Sequence, residues 1–253
     1  MNILKSILSA FLMYSKIPVP QVEWKEENRR YALSFFPLVG VIQGIVFVLW
    51  RILCSYFGFG DILFSCVGAV IPVMVNGGIH LDGFCDTSDM LASYGDRDKK
   101  LKIMSDSHTG AFAVIKLAVY FILQIGIYSE IKNIRSAVII AITFVLSRTL
   151  SGLGAITFKS AKKEGSLQDF VKPSHKKISI SILITWLFLC TLSLIFINLK
   201  SGVFALISAF LVFTYYRFKF YKELNGITGD TAGWFLQVCE LVTAFSILIQ
   251  GGI

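Results

Sequence analysis

The sequence predicts an all-α polytopic membrane helix bundle of about seven transmembrane helices, preceded by an amphipathic helix at the N-terminus. Three observations predict this class: 55% of the 253 residues are hydrophobic, the mean hydropathy is +0.70, and only 16% are charged. Soluble domains usually contain about 25% charged residues, so this composition is typical of a chain embedded in lipid. Because no polar, proline-rich or low-complexity linker interrupts it, residues 1–253 are expected to form one integral membrane domain.

The first expected element is a helix that lies in the plane of the membrane interface. Near the N-terminus, apolar residues recur at helical spacing with polar residues between them, which is typical of interfacial helices. A cleaved signal peptide is the alternative, but Lys16 and Pro18 follow without a small-x-small cleavage site. The apolar stripe consists of Ile3, Leu4, Ile7, Leu8, Phe11 and Leu12, and the polar side of Asn2, Lys5, Ser6 and Ser9.

Seven apolar stretches follow, each close to the length of about 20 residues that a helix needs to cross a bilayer. The sixth has the shortest apolar run. The five cysteines stand singly, mostly within these stretches, which indicates packing residues rather than a redox or zinc site. The expected spans are residues 33–50, 61–81, 110–129, 136–158, 178–198, 202–218 and 231–250.

The basic residues predict the orientation of these helices. If the N-terminus lies in the cytoplasm, most of the 24 lysines and arginines fall on the cytoplasmic side, and only Arg51, Lys132, Arg135 and Lys200 fall on the other. This asymmetry follows the positive-inside rule. The net charge of +8 is therefore explained by topology and by attraction to anionic lipid, without a nucleic-acid partner.

A stretch rich in aspartate and glycine closes the second apolar segment: Asn76-Gly-Gly-Ile-His-Leu-Asp-Gly-Phe-Cys-Asp-Thr-Ser-Asp89. Asp82, Asp86 and Asp89 are spaced i, i+4 and i+7, so a helix turns all three toward one side. Carboxylates that would repel one another there indicate a bound cation. Oxygen ligands without a Cys or His cluster suit Mg²⁺ or Mn²⁺ better than zinc.

The predicted topology brings further polar residues to the same cytoplasmic side. Asp106 and His108 open the third expected span, and Asp230 opens the seventh. Asp96 and Asp98, set among basic residues, are instead interpreted as a solvated loop. The sequence therefore predicts that acidic residues from distant parts of the chain meet at one membrane surface.

Three charged residues lie deeper within expected helices: Lys116, Arg148 and Glu240. Charges at such depth usually pair with one another or line a wet cavity. Basic groups beside a magnesium site, here Lys116, Arg148 and the loop of residues 159–177, would hold substrate phosphate, since phosphoryl transfer depends on positioning and charge stabilisation. A purely structural ion pair between Arg148 and Glu240 is the alternative. Asn76, Gly77 and Gly78 could let the backbone approach a ligand, although a simple kink explains a double glycine equally.

Several motifs together resemble the cobalamin synthase family, adenosylcobinamide-GDP ribazoletransferase. They are His80-Leu-Asp-Gly-Phe-Cys-Asp-Thr-Ser-Asp89, Lys102-Ile-Met-Ser-Asp106-Ser-His-Thr-Gly110, and Gly226-Ile-Thr-Gly-Asp230-Thr-Ala-Gly233 followed by Glu240. Lys16-Ile-Pro-Val-Pro20 and Phe36-Pro-Leu-Val-Gly40 match the usual opening of the family. The chain departs from the family pattern at Phe84-Cys85 and Met90, which affects packing and no proposed ligand.

The resemblance implies a single integral membrane transferase domain that completes the nucleotide loop of vitamin B12. The implied reaction joins adenosylcobinamide-GDP to α-ribazole, or to α-ribazole 5'-phosphate, and releases GMP with Mg²⁺ as cofactor. The active site and the N-terminus would face the cytoplasm of a bacterial or archaeal cell, with the chain in its inner membrane. Expected partners besides the corrinoid-GDP and α-ribazole substrates are membrane lipid, and further copies of the chain or other late enzymes of the cobalamin pathway.

The site residues follow as hypotheses. The predicted metal ligands are Asp82, Asp86, Asp89, Asp106 and Asp230. The predicted catalytic residues are Asp82, Asp89, His80 and His108, of which Asp89 and the two histidines are rival proton acceptors. For each histidine, a hydrogen bond at a helix end is the alternative. The predicted substrate-binding residues are Asn76, Gly77, Gly78, Lys116, Arg148 and Glu240.

Three other functions remain open. A CDP-alcohol phosphotransferase would use a similar aspartate cluster, but Asp82-Gly83 is followed by Phe84-Cys85-Asp86 rather than by the Asp-Gly-x-x-Ala-Arg pattern of that family. A secondary transporter should carry its key charges near the bilayer midplane within an internal repeat, and no convincing repeat is present. A noncatalytic scaffold would leave the aspartates without a purpose.

Overall fold

The computed structural model of the chain describes residues 3–106, 108–162 and 164–251. Within these residues the fold is all-α, and the only extended pairing is an isolated bridge between Ser160 and Ile227. The predicted fold class is therefore confirmed. The helices are α1 (Ile3–Tyr14), α2 (Glu26–Arg29), α3 (Ala32–Phe57), α4 (Asp61–Asn76), α5 (Ile79–Ala92), α6 (Arg97–Ile103), α7 (Ala111–Ser129), α8 (Ile134–Thr157), α9 (Ser166–Val171), α10 (Lys176–Ile197), α11 (Leu199–Leu224) and α12 (Gly229–Ile249).

In the described part of the chain, six helices are long and apolar enough to cross a membrane: α3, α7, α8, α10, α11 and α12. They correspond to six of the expected spans, with ends that differ by a few residues. The largest differences are at α3 and α11, where the helix continues past the apolar run. The chain is thus a multi-pass membrane protein.

The second expected span, residues 61–81, is wrong as one continuous helix. α4 ends at Asn76, α5 begins at Ile79, and the two helices are bent by 99°. Together they form a broken span or a re-entrant segment, which brings the described spans to as many as seven. The helix breaks because Gly77 and Gly78 have φ values of 68° and 81°, in the left-handed region that ends an α-helix.

α8 is the central helix of the bundle. In its most apolar window 89% of the residues are buried, compared with 17% in α10. α8 packs against α3, α10, α12 and α11. Aromatic rings tie α3 to its neighbours, because the ring centroid of Phe47 lies 5.5 Å from that of Phe64, 5.0 Å from that of Tyr128 and 5.6 Å from that of Phe144. This packing gives the site a rigid frame.

The predicted N-terminal amphipathic helix is present as α1, and it packs against α3 through its small residues. Ser6, Ser9 and Ala10 are buried, whereas Ile3 and Leu4 at the start of the apolar stripe are exposed. Small side chains allow the two helices to approach closely, while the exposed stripe remains available to lipid. At its C-terminal end, Tyr14 contacts Phe36 of α3, with ring centroids 4.2 Å apart.

Candidate functional site

The bend between α4 and α5 is held by the side chain of Asn76. The N–H of Gly78 donates to Asn76 Oδ1 at 2.8 Å, so the amide nitrogen faces His80 Nδ1, 3.2 Å away. An amide nitrogen only donates, so His80 Nδ1 accepts and the neutral ring carries its hydrogen on Nε2. Gly77 and Gly78 thus end one helix and begin another, which is a larger change of direction than the simple kink considered for them. A role of Asn76, Gly77 and Gly78 in substrate binding stays a prediction.

α5 and α12 cross in direct backbone contact at two glycines. A Cβ at Gly83 would lie 2.7 Å from the carbonyl oxygen of Asp230 and 2.8 Å from its Cα. A Cβ at Gly233 would lie 2.9 Å from the carbonyl oxygen of His80. Ordinary contacts are about 3.5 Å or longer, so any side chain at these positions would push the helices apart. The crossing brings the aspartates of α5 next to the N-terminus of α12.

Four predicted site aspartates lie together at this crossing. Asp86 is close enough to Asp82, Asp89 and Asp230 for their negative charges to repel it, and close enough to Lys162 to be attracted. Asp82 is exposed, and the other three are partly buried. Partial removal from water strengthens this repulsion. A balancing positive charge would therefore stabilise this arrangement.

The aspartate cluster supplies only part of the ligand set of a magnesium site. Among the residues that the structure describes, no three His, Cys, Asp or Glu side chains form a group that could hold a metal ion by themselves. Mg²⁺ is usually bound by one or two carboxylates, with waters and substrate phosphates as the remaining ligands. Asp82, Asp86 and Asp230 offer such oxygens at a surface that a phosphate can reach. They fit a site shared with substrate, not a closed protein cage.

Asp89 connects α5 to the start of α7. Its Oδ2 accepts the N–H of Gly110 at 2.6 Å, and its Oδ1 accepts the N–H of Ala113 at 2.8 Å. A carboxylate at this position satisfies free N–H groups and interacts favourably with the helix dipole. One turn further, Lys116 Nζ donates to the carbonyl of Ser88 at 3.2 Å. Both residues thus have structural partners. The roles of Asp89 as proton acceptor or metal ligand, and of Lys116 as a phosphate contact, stay predictions.

Asp106 and His108 form a pair at the surface. Asp106 Oδ1 accepts the backbone N–H of His108 at 3.0 Å and lies 2.7 Å from its ring Nδ1. These hydrogen bonds lower the pKa of the Asp106 carboxyl below its usual value. The His108 side chain is 91% exposed. The two residues contact each other, which matches the helix-end alternative for His108.

Arg148 and Glu240 form a buried ion pair between α8 and α12. Arg148 Nη1 lies 2.7 Å from Glu240 Oε1, and each side chain is 1% exposed. Arg148 also donates to Gln43 and to the Phe144 carbonyl, while Ser147 donates to Glu240. The structural ion pair that was the alternative accounts for these contacts. Substrate binding by Arg148 and Glu240 stays a prediction.

Two cavities adjoin at Asp230, which lines both. The inner cavity has a volume of about 100 Å³ and the outer cavity about 210 Å³. A ligand that occupies both would pass the aspartate cluster. The inner cavity is lined by Met13, Tyr14, Leu33, Phe36, His80, Asp82, Ser151, Ala155 and Leu236, among others. The outer cavity is lined by Ser105, Ser160, Lys162, Glu164, Gln168 and Thr228, among others.

Lys162 lies in the loop of residues 159–177 that was predicted to hold phosphate, but the sequence did not single it out within that loop. Its loop is held against the segment before α12, since Ala161 N–H donates to Ile227 O at 2.8 Å and Ile227 N–H to Lys159 O at 2.9 Å. Lys162 Nζ lies 3.2 Å from Ser105 Oγ and lines the outer cavity with Asp230. In the sequence it is one of many basic residues between 159 and 177, and no local pattern distinguishes it.

Comparison with known proteins identifies the family. The protein-family model described as cobalamin-5-phosphate synthase matches residues 6–248 of this chain. A protein of Lachnoclostridium phytofermentans named adenosylcobinamide-GDP ribazoletransferase is 41% identical over 100% of this chain and 97% of its own length. Proteins of the same name from Clostridium botulinum (strain Alaska E43 / Type E3) and Geobacillus sp. (strain WCH70) are 31% and 28% identical and cover 97% and 94% of the chain, with the same shares of their own lengths.

No solved structure matches the chain significantly. The family match extends over nearly the whole chain. All the motifs on which the resemblance rests lie within the matched residues 6–248. The predicted resemblance is therefore confirmed, and the chain belongs to the cobalamin-5-phosphate synthase family.

Proposed function

We propose that this chain is an adenosylcobinamide-GDP ribazoletransferase that works at the cytoplasmic face of a bacterial inner membrane. A ribose hydroxyl of α-ribazole, or of its 5'-phosphate, attacks the cobinamide-side phosphorus of the donor. A phosphorus–oxygen bond forms to the hydroxyl oxygen, and the bond from that phosphorus to the bridging oxygen breaks. GMP leaves with the bridging oxygen, the hydroxyl proton passes to a base, and adenosylcobalamin or its 5'-phosphate is released.

The crossing of α5 and α12 is the observation that carries this proposal. It collects Asp82, Asp86 and Asp230 beside Lys162, at the junction of two cavities. A diphosphate is anionic, so the aspartates alone would repel it, and a divalent cation between them would turn repulsion into attraction. We infer that Asp82 and Asp86, with Asp230, hold Mg²⁺. Bound Mg²⁺ would neutralise charge on the diphosphate during transfer.

Lys162 complements these carboxylates. Its ammonium group neutralises phosphate charge on the side of the outer cavity, which suits the departing GMP. Ser105 holds the Lys162 side chain through a hydrogen bond of 3.2 Å. The site therefore stabilises the transferred group by positioning and charge, without a covalent intermediate on the protein.

Asp82 is our candidate for the proton acceptor. It is exposed and lines the inner cavity, whereas both oxygens of Asp89 already accept N–H groups. His80 lines the same cavity. With its hydrogen on Nε2, neutral His80 is suited to donate a hydrogen bond to substrate rather than to accept the proton. Asp82 would use one carboxylate oxygen for the cation and the other for the hydroxyl.

The cytoplasmic orientation rests on charge. Lys162 and most other basic residues fall on the side where the N-terminus and the aspartates lie in the predicted topology. A cytoplasmic site would have direct access to soluble nucleotide substrates. Association with further copies of the chain, or with other late enzymes of the cobalamin pathway, stays a prediction.

The test is to reconstitute the purified protein in liposomes with adenosylcobinamide-GDP, α-ribazole and Mg²⁺. We expect a cobalamin product by mass, one GMP per product, and no reaction after chelation of Mg²⁺. Asp82→Asn and Asp86→Asn should each reduce GMP release by about 100-fold or more. Asp98→Asn is the matched control, because Asp98 is exposed and pairs at the surface with Arg97. Full turnover by both site variants, in folded protein, would remove these aspartates from the site.

A further inference from the structure

The inner cavity differs in chemistry from the outer one. Tyr14 and Phe36 form an aromatic wall, with ring centroids 4.2 Å apart, and Leu33 and Leu236 add aliphatic surface. His80 lies beside this wall, its ring centroid 5.7 Å from that of Phe36. The outer cavity is lined mainly by charged and hydroxyl-bearing side chains. Two parts of the substrates with different polarity would therefore separate between the two cavities.

We propose that the inner cavity binds the aromatic base of the acceptor nucleoside, an inference that rests on the proposed function. α-Ribazole is a ribonucleoside whose base is a methylated benzimidazole, which is flat, aromatic and largely apolar. An aromatic and aliphatic lining suits such a base, because offset or tilted ring contacts and buried methyl groups both contribute. Guanine would bring several polar edge groups, and burying them without partners is costly. The guanosine phosphate of the donor thus belongs in the outer cavity.

The position of the cavity agrees with the chemistry of the transfer. Asp82 and Asp230 line the inner cavity, and both belong to the aspartate cluster proposed to hold the cation that would bind the diphosphate. A nucleoside with its base in this cavity directs its ribose toward that cluster. The ribose hydroxyl then approaches the phosphorus from the side opposite the outer cavity, where GMP departs. This is the in-line arrangement that phosphoryl transfer requires.

The proposal gives α1 a role in acceptor recognition. Met13 and Tyr14 belong to the end of α1, and they close one side of the inner cavity. Tyr14 is held by Phe36 and also by Phe170, whose ring centroid lies 5.6 Å away. α1 would therefore contribute to the affinity for the acceptor, in addition to lying at the membrane surface.

The experiment fills the cavity with a larger side chain. Ala155 lines the inner cavity and is 6% exposed, so Ala155→Leu places three further carbon atoms in the space of the base. We expect the KM for α-ribazole to rise about tenfold or more, with less than about a twofold change in the KM for adenosylcobinamide-GDP. Ala118→Leu, on an exposed face of α7, is the matched control and should change neither value. A rise in the donor KM with an unchanged acceptor KM would overturn the assignment.

Two further measurements separate this proposal from the proposed function. Tyr14→Ala removes part of the aromatic wall without adding volume, and it should also raise the acceptor KM. This variant keeps the proposal testable if Ala155→Leu does not fold. Equilibrium dialysis of wild-type protein with α-ribazole alone measures base binding without any reaction. Saturable binding that weakens at least about tenfold in Ala155→Leu supports the cavity even if no cobalamin forms. Absence of binding, or equal binding by wild type and both variants, overturns it.

Discussion

Gly83→Ala tests whether the backbone contact between α5 and α12 builds the active site. The added Cβ would lie 2.7 Å from the Asp230 carbonyl oxygen and 2.8 Å from its Cα. Comfortable separations are about 3.5 Å, so the two backbones must move apart by roughly 0.7 Å. Because Asp82 and Asp230 lie on opposite sides of this contact, the same movement separates the carboxylates proposed to share one cation.

The expected effect on stability is small and the effect on rate is large. Alanine favours a helix over glycine by about 0.5–1 kcal/mol, while overpacking costs about 1–3 kcal/mol. The net loss of about 1 kcal/mol is small against a typical stability of about 5–15 kcal/mol, so the variant should fold. A misplacement approaching 1 Å can lower a rate by about 100-fold, and we expect kcat to fall by roughly 10- to 100-fold.

The assay is GMP release in liposomes, measured at increasing Mg²⁺. Gly83→Ala should need more Mg²⁺ for half-maximal activity as well as having a lower kcat. Gly126→Ala is the control, because Gly126 lies in the last turn of α7 and a Cβ there meets nothing within 4 Å. Wild-type kcat and Mg²⁺ dependence in Gly83→Ala would refute the argument that this crossing sets the distances in the site.

Substitutions at three further places test the surrounding contacts. Asp89→Asn should lose about 1 kcal/mol through its weakened hydrogen bonds to the start of α7, measured as a lower thermal unfolding temperature in detergent. Lys162→Met should raise the KM for adenosylcobinamide-GDP by about tenfold and leave the KM for α-ribazole nearly unchanged in steady-state assays. Arg148→Met should cost about 3–5 kcal/mol by leaving a buried carboxylate unpaired, and adding Glu240→Leu should restore most of it in thermal unfolding. A stable but inactive double variant would instead support the predicted role of this pair in substrate binding.

The membrane helices could be predicted because apolar length alone identifies them. Six of the seven expected spans correspond to single helices in the described residues. The break after Asn76 could not be predicted with the same security, because Gly77 and Gly78 are compatible with both a slight kink and a complete change of direction. The choice between them depends on the hydrogen bond from the Gly78 N–H to Asn76 Oδ1, which forms where the break frees that N–H from the helix.

The aspartate site was partly predictable for a related reason. Helical spacing places Asp82, Asp86 and Asp89 on one side of α5, but it does not identify which of them meets α12 and which meets α7. Asp89 accepts the N–H groups of Gly110 and Ala113. These residues lie more than 20 positions away in the sequence, so only tertiary packing brings them to Asp89. Lys162 was obscured in the same way, because its position depends on the bridge between Ser160 and Ile227.

The glycines and aspartates of the two family motifs act as one unit. Gly83 and Gly233 allow the backbones of α5 and α12 to touch, and this contact brings Asp82 and Asp86 of one helix to Asp230 of the other. Helices hold these carboxylates more rigidly than loops would, so their mutual repulsion cannot be relieved by moving apart. In the proposed function, a cation together with a diphosphate would relieve it, because the cation is attracted to both. We therefore expect metal and donor to bind together more favourably than either one alone.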